Sequence, residues 1–245
     1  MSPETHGSSF YNNALTMTFD ELKEEYPTFV DTANYLEKNC YFFKSTLRKI
    51  KQSGLNYEFA EKLCNDCYGY VGRDTRKYYE IIHALIDFSI EFLRLQLRLH
   101  KTGRYLYSSY DELDRYVYSD PNRELKGPRY TWALYFSQIF WVTHWNVFKF
   151  FTSEFAGNNK VRGDILEVPT GTGIFISYFL KNNPQWNGTG IDLGETSIEF
   201  TKNVLSWDYI ERKRIDLIRE DIYKFETDKK FDKILCGEFL EHVED

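Results

Sequence analysis

The hydrophobic positions of this 245-residue chain change their spacing near residue 160. Before that point, apolar side chains recur every three or four residues, which is typical of amphipathic helices. This spacing predicts helices over 19–54, 57–70, 75–103 and 130–155. The third of them is apolar on two faces, which indicates a helix packed against more than one neighbour.

From residue 164 onward, short apolar runs alternate with amphipathic segments. The alternation predicts strands over 164–168, 188–193, 215–221 and 231–236, with helices over 173–182 and 196–207. Thr196-Ser197-Ile198-Glu199 fits a capping box at the start of the second helix. Such a pattern calls for a parallel sheet wound by crossovers. We therefore expect a flexible N-terminal arm over 1–18, an all-α helical domain over 19–160 and an α/β domain over 161–245.

Composition narrows the class of protein. A net charge of -6 argues against a protein that mainly grips nucleic-acid phosphates, so a small-molecule partner is favoured over nucleic acid. Four cysteines are too few for a disulfide framework, and the first 18 residues lack the apolar core of a secretory signal. A cytoplasmic setting is expected. Cys64 and Cys67 form a CxxC, but no second ligand pair follows, and two helical cysteines one turn apart are favoured over zinc.

Residues 130–148 carry no formal charge, and they raise the question of a membrane span. The segment nevertheless contains Thr131, Ser137, Gln138, Thr143, His144 and Asn146. A buried helix or a dimer helix is therefore predicted in place of a membrane partner.

The candidate chemistry lies where the predicted strands end. The first strand ends in Glu167 and a turn, Pro169 to Gly173, that contains two glycines, and the next strand ends in Asp192. Glycines let the backbone approach a ligand, and an acid at this distance suits ribose hydroxyls. The dinucleotide fingerprint fails because Ile176 stands at its third glycine, so a nucleotide-dependent oxidoreductase is disfavoured. A nucleoside without a pyrophosphate fits better.

These residues resemble the class I S-adenosylmethionine-dependent methyltransferases. "ILEVPTGTG" is similar to the family's first motif, "GIDL" to the second, "REDIYKF" to the adenine-contacting segment and "FDKILCGEFLEHVED" to the fourth motif. Pro169 departs from the family, in which many members have a further glycine. The resemblance covers 161–245 and implies a Rossmann-like fold that binds S-adenosylmethionine. The implied cofactor-binding residues are Glu167, Thr170, Gly171, Thr172, Gly173, Asp192, Leu193, Asp221, Ile222 and Glu238.

Two histidines are candidates for catalysis. His242 shares one helical face with Glu238 and Glu241 if a helix begins there, so it could act as a base, and the three side chains could also hold a divalent metal. The favoured interpretation includes no metal. His144 is the second candidate, with a core histidine as its alternative.

The resemblance implies an S-adenosylmethionine-dependent methyltransferase that acts by in-line transfer on a small-molecule acceptor, natural products included. Resembling enzymes add strands after the fourth one, so we expect either a truncated chain or one whose missing part is supplied by a second copy or a partner chain. The alternative function is a non-catalytic Rossmann-like binding protein that acts as a homodimer or a partner subunit.

Overall fold

The computed structural model of the chain describes residues 19–104, 106, 112, 115, 127–157, 161–237 and 239. The predicted arm over 1–18 lies outside this set, as do Glu238, Glu241 and His242. Within the described residues, no helix combines the length and the apolarity that a membrane crossing requires.

Seven α-helices and a π-helical turn are described before the first strand. They are α1 (Phe19–Glu25), α2 (Pro27–Asn39), α3 (Phe42–Gln52), α4 (Tyr57–Tyr70), α5 (Thr75–Thr102), α6 (Pro128–Phe140), α7 (Val142–Phe150) and the π-helical turn Phe151–Phe155.

Two predicted helices are interrupted. The segment 19–54 forms α1, α2 and α3 because Pro27 occupies a first-turn position of α2 and Cys40 adopts an extended conformation at its end. The segment 130–155 is divided at Trp141. The Trp141 N–H still donates to Ser137 O and its carbonyl accepts from Trp145 N, so backbone hydrogen bonding continues through the interruption.

By its contacts the chain divides into two compact units. The first unit contains the chain up to Ile86 together with Phe136–Val147, and the second contains Asp87–Tyr135 and the chain from Phe148 onward. The predicted domain boundary at residue 160 was drawn from periodicity alone and stays a prediction.

The first unit is a helical core joined by aromatic and polar contacts. Phe29 stacks on Phe140 with ring centroids 5.5 Å apart. Glu61 of α4 caps the start of α2, since its carboxylate accepts the N–H groups of Thr28 at 3.1 Å and Phe29 at 2.7 Å. Cys64 is fully buried, and this burial raises the pKa of its thiol to about 12. Such a thiol is a packing group and a poor nucleophile.

The second unit contains a parallel sheet of four described strands. Its elements are β1 (Gly163–Glu167), α8 (Ile174–Asn182), β2 (Trp186–Asp192), α9 (Glu195–Trp207), the 3-10 turn Arg212–Arg214, β3 (Ile215–Arg219) and β4 (Lys233–Leu235). The strand order is β3-β2-β1-β4. The predicted Rossmann-like α/β class is confirmed. α8 connects β1 to β2, α9 and the 3-10 turn lie between β2 and β3, and the strand order reverses next to β1, where ligands bind in such folds.

Aromatic side chains pack the second unit's helices together. Trp132 and Tyr135 of α6 contact Phe200 of α9, with ring centroids 4.6 and 5.3 Å apart. Phe148 and Phe151 contact Phe175 of α8 at 5.5 and 5.0 Å. The aromatic residues of these helices therefore form core contacts with α8 and α9 in this unit.

Arg214 fixes the end of α8 to the start of β2. Its Nη2 group lies 2.9 Å from Leu180 O, 2.8 Å from Asn183 O and 2.9 Å from Trp186 O, and its Nε donates to Trp186 O at 3.1 Å. The last carbonyls of a helix have no partner inside the helix. A guanidinium beside them supplies both hydrogen bonds and a favourable charge.

Candidate functional site

The parallel register brings the two candidate acids to one edge of the sheet. Glu167 is the last residue of β1 and pairs with Gly190 of β2, and Asp192 is the last residue of β2. Carboxyl ends of neighbouring parallel strands meet at the same edge, which is where open α/β sheets bind ligands. The register therefore places Glu167 and Asp192 at the same edge, and their shared role in a cofactor site stays a prediction.

The turn between β1 and α8 takes its shape from two glycines. Gly171 has φ +51° and Gly173 has φ +70°, a left-handed conformation that side chains with a Cβ rarely adopt. The Val168–Pro169 peptide bond is cis. Gly173 is the N-cap of α8 and has no side chain, so no capping side chain occupies the first backbone N–H groups of the helix.

Asp192 holds this turn and the start of α9 together. Its Oδ2 accepts the Gly171 N–H at 2.9 Å, and its Oδ1 accepts the Gly194 N–H at 2.7 Å. The carboxylate also accepts a hydrogen bond from the Ser197 side chain. Burial raises the pKa of Asp192 although all three hydrogen bonds favour the ionised form. A carboxylate offers about four lone-pair positions, so about one remains for a ligand.

This arrangement corrects the predicted capping box. The helix begins at Glu195 with Gly194 as its N-cap, so Thr196 lies inside the first turn. The physical reason is the Asp192 carboxylate, which accepts the Gly194 N–H, so that the N-cap is Gly194, two residues before the predicted Thr196.

Glu167 is a buried acidic residue. Its side chain is 3% exposed, and its Oε2 accepts the Ile176 N–H at 3.2 Å. Burial raises the pKa of Glu167 well above its ordinary value, and the nearby charge of Asp192 raises it further. Two carboxylates in one buried site repel each other, so the site favours a cationic ligand group.

The two predicted threonines of the turn are buried and anchored. Thr170 is 3% exposed and donates its backbone N–H to Ile191 O at 2.8 Å, and Thr172 is also buried. The Thr170 Oγ1 has no hydrogen-bond partner among the described residues. Thr170 therefore contributes through its backbone and its methyl group.

The residues predicted to contact adenine follow β2 and β3 in the chain. Leu193 is 51% exposed directly after β2, and the partly buried Ile222 packs against the cluster of Leu166, Val168 and Ile191. The Asp221 Oδ1 accepts the Tyr223 N–H at 3.0 Å, which leaves its other oxygen 3.5 Å from Lys224 Nζ. These side chains offer apolar surface and an acceptor, which is what a nucleobase requires.

The catalytic roles predicted for His242 and His144 stay predictions. His242 and the cofactor candidate Glu238 lie outside the described residues. His144 belongs to the first unit, where its Nδ1 lies 2.7 Å from the Ser137 Oγ and its ring 5.0 Å from Trp141. Its catalytic role stays a prediction. Among the described side chains, no group of three His, Cys, Asp or Glu residues could hold a metal ion.

Sequence reasoning missed two residues that support the turn. Thr201 of α9 lies behind Gly173, where an added Cβ would stand 2.5 Å from its Cγ2. Gly190 of β2 lies beneath Thr170, where an added Cβ would stand 2.5 Å from the Thr170 Cγ2. The second glycine pair in "NGTGID" was a signal for close packing inside a strand.

Comparison with known families supplies one match. The family described as methyltransferase domain matches residues 166–245, which is about a third of the chain and includes β1 except its first three residues. A comparison with curated proteins finds no match. The matched segment contains the glycine turn, Asp192 and three further strands of the parallel sheet. Residues 166–245 thus match a methyltransferase domain, and the described strands of this segment belong to a Rossmann-like parallel sheet.

Proposed function

We propose that the chain is an S-adenosylmethionine-dependent methyltransferase of class I that acts on a small-molecule acceptor. The observation that carries the proposal is the pair of buried acids, Glu167 and Asp192, on either side of a glycine turn at the carboxyl edge of a parallel sheet. A methyltransferase domain match over the same residues supports it.

The residues present fit the proposed cofactor. Glu167 would face its cationic part, because a buried carboxyl with a raised pKa gains most from a nearby positive charge. Asp192 would accept from the ribose hydroxyls, and Leu193 and Ile222 would contact the adenine. When bound, the cofactor supplies a methyl group already activated on a sulfonium.

The Asp192 carboxylate sets a condition on ribose binding. Three protein donors already use it, and a ribose diol brings two more. With about four acceptor positions in total, one protein donor must weaken its bond when the diol binds.

The chain's own residues would act mainly by positioning. Because the methyl group is activated before transfer, holding it in line with the acceptor atom provides most of the acceleration. A general base is required only if the acceptor must lose a proton. His242 and His144 are the proposed candidates for that role. A small acceptor is favoured over nucleic acid because the net charge is -6.

Calorimetric titration with S-adenosylmethionine and S-adenosylhomocysteine tests the proposal. We expect the parent chain to bind both ligands and Asp192→Asn to weaken binding by about tenfold or more, since the loss of a charged hydrogen bond costs about 1.5–3 kcal/mol. Asp216→Asn is the matched control, because Asp216 is an exposed residue of β3. The proposal fails if the folded parent binds neither ligand, or if both variants bind equally well.

The second candidate is a non-catalytic binding protein that pairs with a second copy or a partner subunit. It is favoured by the outer edge of β4, where Ile234 is 59% exposed and no described strand pairs beyond β4. An open apolar edge is a template for strand addition. Sedimentation velocity distinguishes the candidates: self-association that Ile234→Lys removes and Asp192→Asn leaves intact, without ligand binding, favours the second.

A further inference from the structure

Strand β2 contains two glycines that face the same side of the sheet, Gly188 and Gly190, because side-chain directions alternate along a strand. At Gly190 an added Cβ would lie 2.5 Å from the Thr170 Cγ2 and 2.8 Å from the Leu217 Cδ2. The Thr170 methyl group therefore fills the space that a side chain at position 190 would need. We call this contact the Thr170–Gly190 notch.

Two hydrogen bonds lie directly beside the notch. The Thr170 N–H donates to Ile191 O at 2.8 Å, and the Gly171 N–H donates to the Asp192 Oδ2 at 2.9 Å. Two consecutive residues of the turn, Thr170 and Gly171, are thus hydrogen-bonded to the last two residues of β2, Ile191 and Asp192. Hydrogen bonds set the direction of this attachment, and the methyl group in the notch sets how closely the turn approaches the strand.

We propose that Gly190 and Thr170 are positioning residues for the ligand at the glycine turn, acting through the Gly171 backbone. The inference rests on the proposed function, which places S-adenosylmethionine there. A side chain at 190 pushes Thr170 outward and moves the Gly171 N–H relative to Asp192. The added Cβ would lie 2.5 Å from the Thr170 Cγ2, and real Cβ contacts are essentially never under 3.0 Å, so the turn must move by about half an ångström. A misplacement of about 1 Å costs on the order of 100-fold in sites that depend on orientation, so half of that shift should cost about tenfold.

Gly188→Ala is a matched control for Gly190→Ala. Its added Cβ would lie 2.7 Å from the Ile215 Cδ1, 3.0 Å from the Ile176 Cδ1 and 3.1 Å from the Leu180 Cδ1. Both positions are crowded, and neither has a left-handed φ. Gly188 differs because its neighbours are the ends of core side chains and include no residue of the turn.

The experiment is calorimetric titration of the full chain and its variants with S-adenosylhomocysteine. We expect Gly190→Ala to bind about tenfold more weakly and Gly188→Ala to stay within about twofold of the parent, although both lower the melting temperature. Thr170→Ser added to Gly190→Ala removes the colliding methyl and should restore affinity to within about threefold. A purely structural role predicts equal losses in both alanine variants, and equal losses would overturn the inference.

Two further measurements keep the inference testable. If Gly190→Ala does not fold, Thr170→Ser alone removes the methyl without adding bulk, and unchanged affinity in that variant contradicts the proposal. If the parent binds no ligand, the proposed function fails separately. Amide NMR shifts of Gly171 and Gly173 then decide the positioning claim: they should move in Gly190→Ala and not in Gly188→Ala, and the opposite result refutes it.

Discussion

Replacing Arg214 with methionine should destabilise the second unit by about 2–3 kcal/mol. Three guanidinium N–H groups face three backbone carbonyls, those of Leu180, Asn183 and Trp186. A net hydrogen bond is worth about 1 kcal/mol, and bonds to a charged group are worth more. Arg214 is half-buried, so water can replace part of the hydrogen bonding that the substitution removes. The expected loss of stability is therefore about 1 kcal/mol for each carbonyl, the value for a neutral hydrogen bond. Methionine retains most of the apolar stem.

Urea unfolding followed by far-UV circular dichroism measures this loss. The matched control is Arg212→Met, because Arg212 belongs to the same 3-10 turn and is exposed. We expect the control to stay within about 0.5 kcal/mol of the parent, as surface substitutions usually do. Arg214→Lys should resemble Arg214→Met, since one ammonium cannot reproduce the guanidinium fork. Equal midpoints for Arg212→Met and Arg214→Met would refute the reasoning.

Three further predictions concern single side chains. Burial raises the pKa of Glu167, so the free energy of unfolding should fall as pH rises above the unfolded pKa of about 4.3, and Glu167→Gln should reduce this fall in pH-dependent melts. Glu61→Ala should lose about 1–2 kcal/mol in urea unfolding because two helix N–H groups lose their cap, whereas Glu37→Ala, at an exposed position, should not. Burial raises the pKa of Cys64 to about 12, so a thiol reagent at about pH 8 should label the exposed Cys236 in the folded protein and Cys64 only after unfolding; rapid native labelling of Cys64 would contradict its burial.

The strand part of the fold could be predicted because its signals are local. The predicted strand over 164–168 covers β1 except for Gly163, and the predicted strand over 231–236 contains β4. The helix predicted over 57–70 has the observed bounds of α4, since Asn56 caps it through the Phe59 N–H. Local capping chemistry of this kind is visible in the sequence.

The interruptions of the longer helices could not be predicted from periodicity. Apolar spacing continues across Pro27 and Cys40, and proline is accepted in the first turn of a helix as readily as it ends the one before. The start of α9 was misjudged for a different reason. Its N-cap, Gly194, donates its N–H to the Asp192 carboxylate, and the same carboxylate accepts the N–H of Gly171, 21 residues away in sequence.

The sequence indicates which residue types form the candidate site, but it does not indicate the contacts between them. Glycines and acids at strand ends indicate a ligand, because parallel strands end at a common edge. The Asp192 hydrogen bond to Gly171 and the Thr170–Gly190 notch join two strands through side-chain and backbone positions. Contacts of this kind are set by tertiary packing, which periodicity does not encode.

The distribution of tryptophans gives the protein two kinds of optical reporter. Trp141 and Trp145 belong to the first unit, and Trp132, Trp186 and Trp207 belong to the second. Trp132 and Trp207 lie with ring centroids 6.2 Å apart and planes 21° apart, close enough for their excited states to couple in near-UV circular dichroism. Total fluorescence would mix both units, whereas the coupled pair reports the packing of α6 on α9 alone.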